Sequence, residues 1–154
     1  MHEGIYCLDT GVLIKFLVAE EPAELSDAAA QLVLRALTNG RLVAPAFAWA
    51  EVGSVLRKKV RQGLLQREQA GALWIRFGQL PIEFIEDPSL RTRAWEIAGQ
   101  YALPTLYDAA FLACTEVASG TAATREFWTA DEELLRALEA NEPPYVRRLR
   151  TTAS

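Results

Sequence analysis

Apolar residues along this chain fall into two kinds of run that alternate from end to end. Short runs occur at 4–8 (GIYCL), 41–45 (RLVAP), 81–85 (PIEFI) and 125–130 (REFWTA). They are bounded by Gly, Pro or Asp and are too short to pack as helices, so they read as strands. A fifth short run, YVRRL, follows the Pro143-Pro144 break and reads as an edge strand. Between them lie longer stretches with helical spacing, at 11–19, 23–38, 46–62, 67–77, 89–101, 105–118 and 131–140. Their stop signals are Asn39-Gly40, Gly63 and Leu103-Pro104, while Asp87-Pro88 closes the third strand. Strands alternating with helices predict an α/β fold, a central parallel sheet of four to five strands flanked by helices in three layers.

The length of 154 residues suits one domain, expected over 1–149, with 150–154 as a loose tail. Half the chain is apolar and 23% is charged, as in ordinary globular proteins. No apolar run approaches the length of a membrane span, and the N-terminus shows no signal-peptide core, so a cytoplasmic protein is expected. Cys7 and Cys114 lie in apolar segments and read as reduced packing residues. A net charge of −4 argues against coating nucleic acid by bulk electrostatics, though not against a local basic patch. With His2 the one histidine, Ser-His-Asp, Cys-His and His-rich zinc chemistry are set aside. Any catalysis falls to carboxylates.

Of 20 acidic residues, four interrupt apolar patterns or sit where strands end. Asp9 follows the first strand and Asp131 the fourth. Glu51 lies on a helical face shared by Phe47, Ala48 and Val55, and Asp108 precedes Phe111 and Leu112 by three and four residues. Taken singly, each has a plainer reading. Asp9 and Asp131 suit helix N-caps, and Glu51 and Asp108 suit the edge of an apolar face. Their joint placement says more, because ligands of open parallel sheets sit beyond the carboxyl ends of strands. Four carboxylates gathered there would repel one another, and a divalent cation would remove the conflict. An all-oxygen donor set favours Mg²⁺ or Mn²⁺ over zinc, and such ions assist phosphodiester hydrolysis. The segment Asp9-Thr10-Gly11 also spells the aspartic-protease triplet, but that family is all-β, and here a helix follows.

The blocks LDTGVLIKFLVAEEP, RLVAPAFAWAEVGSVLRKKVRQG, LPTLYDAAFLACTE and FWTADEELLRAL, in this order, resemble the PIN-domain family. More narrowly, they resemble the VapC-type toxin ribonucleases of toxin–antitoxin pairs. The resemblance spans nearly the whole chain. It implies a Rossmann-like sheet, an acidic pocket binding Mg²⁺ or Mn²⁺, endonucleolytic cleavage of RNA, a homodimer and a small antitoxin partner. By position it makes Asp9, Glu51, Asp108 and Asp131 the catalytic and metal-binding acids, with Thr129 and Thr10 helping to orient them. Two features depart from the pattern. Gly11 stands where many relatives carry Ser or Asn, and the stretch 117–126 is longer than the usual link into the fourth strand.

Phosphate needs positive charge nearby, and Arg57, Lys58 and Arg61 follow Glu51 on the same helix. Lys58 falls two turns along the face of Glu51, though cations at a helix C-terminus also suit the helix dipole. Arg147, Arg148 and Arg150 form a second, more remote cluster. Trp49, Trp74, Trp95 and Trp128 are scattered, which suits core packing or a subunit interface better than base stacking. Two alternatives stand beside the nuclease. One is a PIN-like module that binds RNA or protein without cutting. The other is a haloacid-dehalogenase-type phosphotransferase using Asp9, which would need a second aspartate at position 11, where the chain has glycine.

Overall fold

The structure, a computed structural model, describes residues 4–119, 122 and 124–151. The first half of the chain builds β1 (Gly4–Leu8), α1 (Thr10–Leu17), α2 (Ala23–Asn39), β2 (Gly40–Pro45), α3 (Ala48–Arg61) and α4 (Arg67–Gly78). The second half builds β3 (Ile82–Ile85), α5 (Pro88–Gln100), α6 (Leu106–Ser119), β4 (Thr124–Thr129), α7 (Glu132–Leu138) and β5 (Val146–Arg148). All of the expected strands and helices form, most of them within a residue or two of the bounds expected from sequence. The helix expected to reach residue 19 stops at Leu17, because the Val18 N–H already bonds Ile14 and the chain turns extended there. Glu139–Asn141 tighten into a 3₁₀ turn after α7. Parts of the 117–126 stretch and of the tail, residues 120, 121, 123 and 152–154, lie outside the described residues.

The five strands pair in the order β3-β2-β1-β4-β5, every neighbour parallel. Side chains of β1 alternate across the sheet, as the period of two requires. Ile5 and Cys7 face one core with Leu90, Ile97, Phe111 and Leu138 of α5, α6 and α7. Tyr6 and Leu8 face the other, with Leu13, Leu32, Val52 and Phe77 of α1, α2, α3 and α4. Both faces are therefore covered, and β1 is buried along its whole length. The β1–β2 pair starts with two facing glycines, Gly4 and Gly40. A Cβ at Gly40 would lie 2.0 Å from the Gly4 carbonyl oxygen, so this register tolerates no side chain there.

Strand order places the crevice. From β1 the chain moves outward through β2 to β3, then returns to the other side of β1 for β4 and β5. Beyond the carboxyl ends of β1 and β4 the crossing helices leave in opposite directions and open a cleft, the usual ligand site of such sheets. Of the two roles expected of the tryptophans, core packing is met by Trp128, which packs against the second core, and not by Trp49 or Trp95. Trp95 is 73% exposed and Trp49 54% exposed, while Trp74 packs on Phe77 and on the Cβ-less face of Gly53. Among the described residues, no apolar element covers Trp49 or Trp95.

Candidate active site

Asp9 is the first residue beyond β1, and its backbone N–H reaches across to the Trp128 carbonyl of β4 at 3.1 Å. That bond ties the carboxyl ends of the two strands together at the crevice. The Asp9 side chain then serves two partners. Its Oδ1 accepts the Val12 N–H at 2.8 Å and so caps α1, satisfying a donor that the first turn leaves orphaned. Its Oδ2 accepts the Thr129 hydroxyl at 2.5 Å. Thr129, fully buried, also accepts the Asp131 N–H on Oγ1 at 3.0 Å. One hydroxyl thus connects the acid after β1 to the acid after β4.

Asp131 caps α7 in the same manner, accepting the Leu134 N–H at 3.1 Å. Glu51, in the first turn of α3, accepts the Thr10 hydroxyl at 2.7 Å. Asp108 sits in the first turn of α6 and is partly buried. For Asp9 and Asp131 the capping reading and a place in the cleft therefore both hold. A carboxylate has about four acceptor sites, and a cap uses one of them.

These acids share one cleft of about 290 Å³, lined by Asp9, Glu51, Asp108 and Asp131 with Thr10, Gly11, Lys15, Tyr107, Phe111 and Ala130. Burial pushes the Asp9 carboxyl up to about 6, against the hydrogen bonds from Thr129 and Val12, which favour its charge. Asp108 and Asp131 push it further the same way. Asp108 is itself raised, first by burial and then by the charges of Asp131 and Glu51. Asp9 and Asp108 thus each feel the charge of neighbouring acids, a condition that a bound cation would relieve. Among the described residues, no three acidic, cysteine or histidine side chains stand gathered as a ready metal cage. The donor chemistry nevertheless fits a hard divalent cation: four carboxylates, two threonine hydroxyls beside them and no nitrogen or sulfur ligand.

The fold is found in known proteins. The family model of the PIN domain matches residues 6–139, most of the chain. The chain belongs to the PIN-domain family. Among curated protein sequences none matches. Three solved structures share the PIN fold with it. VapBC2 from Rickettsia felis, bound to a DNA fragment from its promoter, aligns at 15% identity and TM-score 0.61 over 95% of this chain and 99% of that one. A toxin–antitoxin complex from Klebsiella pneumoniae aligns at 18% identity and TM-score 0.61 over 95% and 98%. PAE2754 from Pyrobaculum aerophilum aligns at 20% identity and TM-score 0.59 over 94% and 88%.

Within this PIN domain the four expected acids and Thr10 line the cleft, and Thr129 is buried behind it, bonded to Asp9. The cations expected to serve it, Arg57, Lys58 and Arg61, do not line it. They lie at the far end of α3, and at 1.5 Å per residue Lys58 is about 10 Å along the axis from Glu51. The cation that does line the cleft is Lys15 of α1, which the sequence pattern alone did not bring forward. Its signal was present. Lys15 interrupts an apolar helix four residues after Gly11, and positions four apart share a helix face.

Proposed function

We propose that this PIN domain is an Mg²⁺- or Mn²⁺-dependent endoribonuclease, the toxin of a toxin–antitoxin pair. One observation carries the reading. Asp9, Glu51, Asp108 and Asp131 come from four elements far apart in sequence and line a single cleft at the switch point of the sheet. These four would hold the cation, which when bound would supply an activated water and offset charge on the phosphodiester. The chain's own residues prepare that site. The Val12 N–H and the Thr129 hydroxyl fix the Asp9 oxygens, and the Thr10 hydroxyl fixes one oxygen of Glu51. Lys15 offers a positive charge to a non-bridging phosphate oxygen.

The expected result is cleavage of single-stranded RNA with added Mg²⁺ or Mn²⁺. Asp9→Asn and Asp108→Asn should each abolish it, with the folded circular-dichroism spectrum retained. Full activity in excess chelator would sink the metal mechanism, and a covalent aspartyl-phosphate on Asp9 would favour phosphoryl transfer instead. The PIN module that binds without cutting is the reading left if both metals fail to support cleavage.

The antitoxin rests on likeness to two toxin–antitoxin complexes. A neighbouring reading frame for a small protein, whose product co-purifies and silences cleavage, would support it. Exposed Trp49 and Trp95 suit a homodimer, checked by light scattering on the purified chain. A cytoplasmic site of action goes with this reading. Among the described residues no helix is long and apolar enough to cross a membrane.

A further inference from the structure

The carboxyl edge of the sheet does not end at the acids. Thr129, which holds Asp9, pairs in register with Arg148 of β5, and the Leu149 N–H continues to the Thr129 carbonyl at 2.8 Å. Neighbouring strands lie about 4.8 Å apart, so β5 presents its arginines one strand beyond the edge that carries the cleft. There a second and larger hollow, of about 610 Å³, opens between α2, α7 and β5. Five arginines line it, namely Arg35, Arg136, Arg147, Arg148 and Arg150, against three glutamates.

The charges do not simply cancel. Arg148 pairs with Glu132, which also feels Arg136, and five arginines against three glutamates leave an excess of two positive charges in the lining. The hollow keeps a positive excess on a chain whose net charge is −4. Arg35 lies over the half-buried ring of Trp128, its guanidinium 5.4 Å from the ring centre. Arg147 is steadied by the Pro144 and Val146 carbonyls at 2.7 and 3.0 Å. Arg136 and Arg150 are exposed and make no ion pair among the described residues. Trp128 and Glu132 line this hollow, while Ala130 and Asp131 between them line the acidic cleft. The two sites share one short segment of chain.

We propose that this arginine-lined hollow is the track for the phosphodiester backbone of the single-stranded RNA that enters the acidic cleft. It rests on the nuclease reading above. A cleft of four carboxylates repels a polyanion, so the positive charge that retains substrate must lie beside it, and the arginine-lined hollow adjoins it through the shared segment 128–132. Guanidinium groups bind phosphate oxygens through paired N–H donors, and a partly fixed guanidinium loses less freedom on binding. The alternative occupant, an acidic protein segment, would suit the charge but would gain nothing from the shared edge with the acids.

The test measures binding of a labelled oligouridylate of about twelve nucleotides to the full-length Asp9→Asn protein with Mg²⁺, across a salt series. Adding Arg136→Gln and Arg150→Gln should weaken binding about tenfold and flatten the salt slope by about two, roughly one for each phosphate no longer neutralised. Arg41→Gln, at the amino end of β2, should change neither, and thermal melts confirm that each variant is folded. Unchanged affinity and slope in the double variant would overturn the track, as would an equal loss from Arg41→Gln or no oligonucleotide binding at all. If the double variant lost binding of a polyglutamate peptide while keeping RNA, the hollow would be a protein-docking site and the RNA track would be refuted. Metal-dependent cleavage by the wild type is scored separately. Cleavage without dependence on these arginines sinks the track alone, and arginine-dependent binding without cleavage sinks the nuclease reading alone.

Discussion

Asp9 answers two opposing demands, and its titration shows the cost. It must stay buried to hold the ends of β1 and β4 together, yet burial lifts its carboxyl to about 6 from an ordinary 3.8. An acid whose pKa is higher in the folded state binds its proton more tightly when folded. The associated stability is therefore complete below pH 3.8 and is lost as pH rises through 6. The size of that loss is about 3 kcal/mol, since each tenfold change in proton affinity is worth roughly 1.4 kcal/mol. In metal-free buffer Asp9→Asn should thus melt higher than wild type at pH 7, with the gap closing toward pH 4. Differential scanning across that range checks it, and a gap that widened on acidification would contradict the assignment. Gly11 carries a second prediction. A Cβ there would stand 3.5 Å from Asp9 Oδ1, an ordinary contact, in the first turn of α1. Gly11→Ser should therefore fold, gain about 0.5 kcal/mol of helix stability, and cut RNA at least as fast as wild type. A tenfold slower rate would show that the glycine serves close approach of the substrate.

At the scale of elements, β1 and its neighbours decide whether the site exists at all. Asp9, Thr129 and Asp131 belong to strand ends or to the residues just past them, so the β1–β4 register sets their spacing. Registers of parallel strands buried on both faces are pinned by packing, because a one-residue slip would turn every side chain to the opposite face. Gly40→Ala is the test of the neighbouring pair. Its methyl would meet the Gly4 backbone oxygen, carbon and nitrogen at 2.0 to 2.8 Å, and the backbone of a paired strand has little room to yield. A loss of about 3 kcal/mol or more is expected, read from a denaturant midpoint, with cleavage falling in parallel as the site loses its frame. Gly71→Ala, inside α4 where nothing lies within 4 Å, should raise the midpoint slightly, by about 0.5–1 kcal/mol of helix propensity, leave cleavage unchanged, and so serves as the control.

Across the whole molecule, charge is arranged rather than averaged. The acidic cleft and the arginine-lined hollow adjoin one sheet edge, at the ends of β1, β4 and β5 in turn. The exposed aromatics Trp49 and Tyr107 border an apolar hollow on the other side of the acids, and Tyr107 lines both. The proposed function places metal at the centre of this arrangement, so Mg²⁺ should raise the melting temperature of wild type and raise that of Asp108→Asn less. Equal rises in both would place the ion elsewhere.

The sequence by itself determined the elements and singled out the acids that the cleft brings together. Short apolar runs bounded by Gly, Pro and Asp became strands, because chain punctuation and hydrophobic period are local properties. Asp9, Glu51, Asp108 and Asp131 were legible because an acid in an apolar pattern costs free energy unless something there needs it. Only the tertiary structure decided which cations stand near them. Arg57, Lys58 and Arg61 adjoin Glu51 in the chain, but a helix carries them away along its axis, while strand order sets β5 with its arginines beside β4. That order, β3-β2-β1-β4-β5, is a matter of which buried faces fit together, and no local pattern records it. The same holds for Trp49 and Trp95, whose type suggested a core or a subunit interface and whose exposure followed from how the helices packed around them.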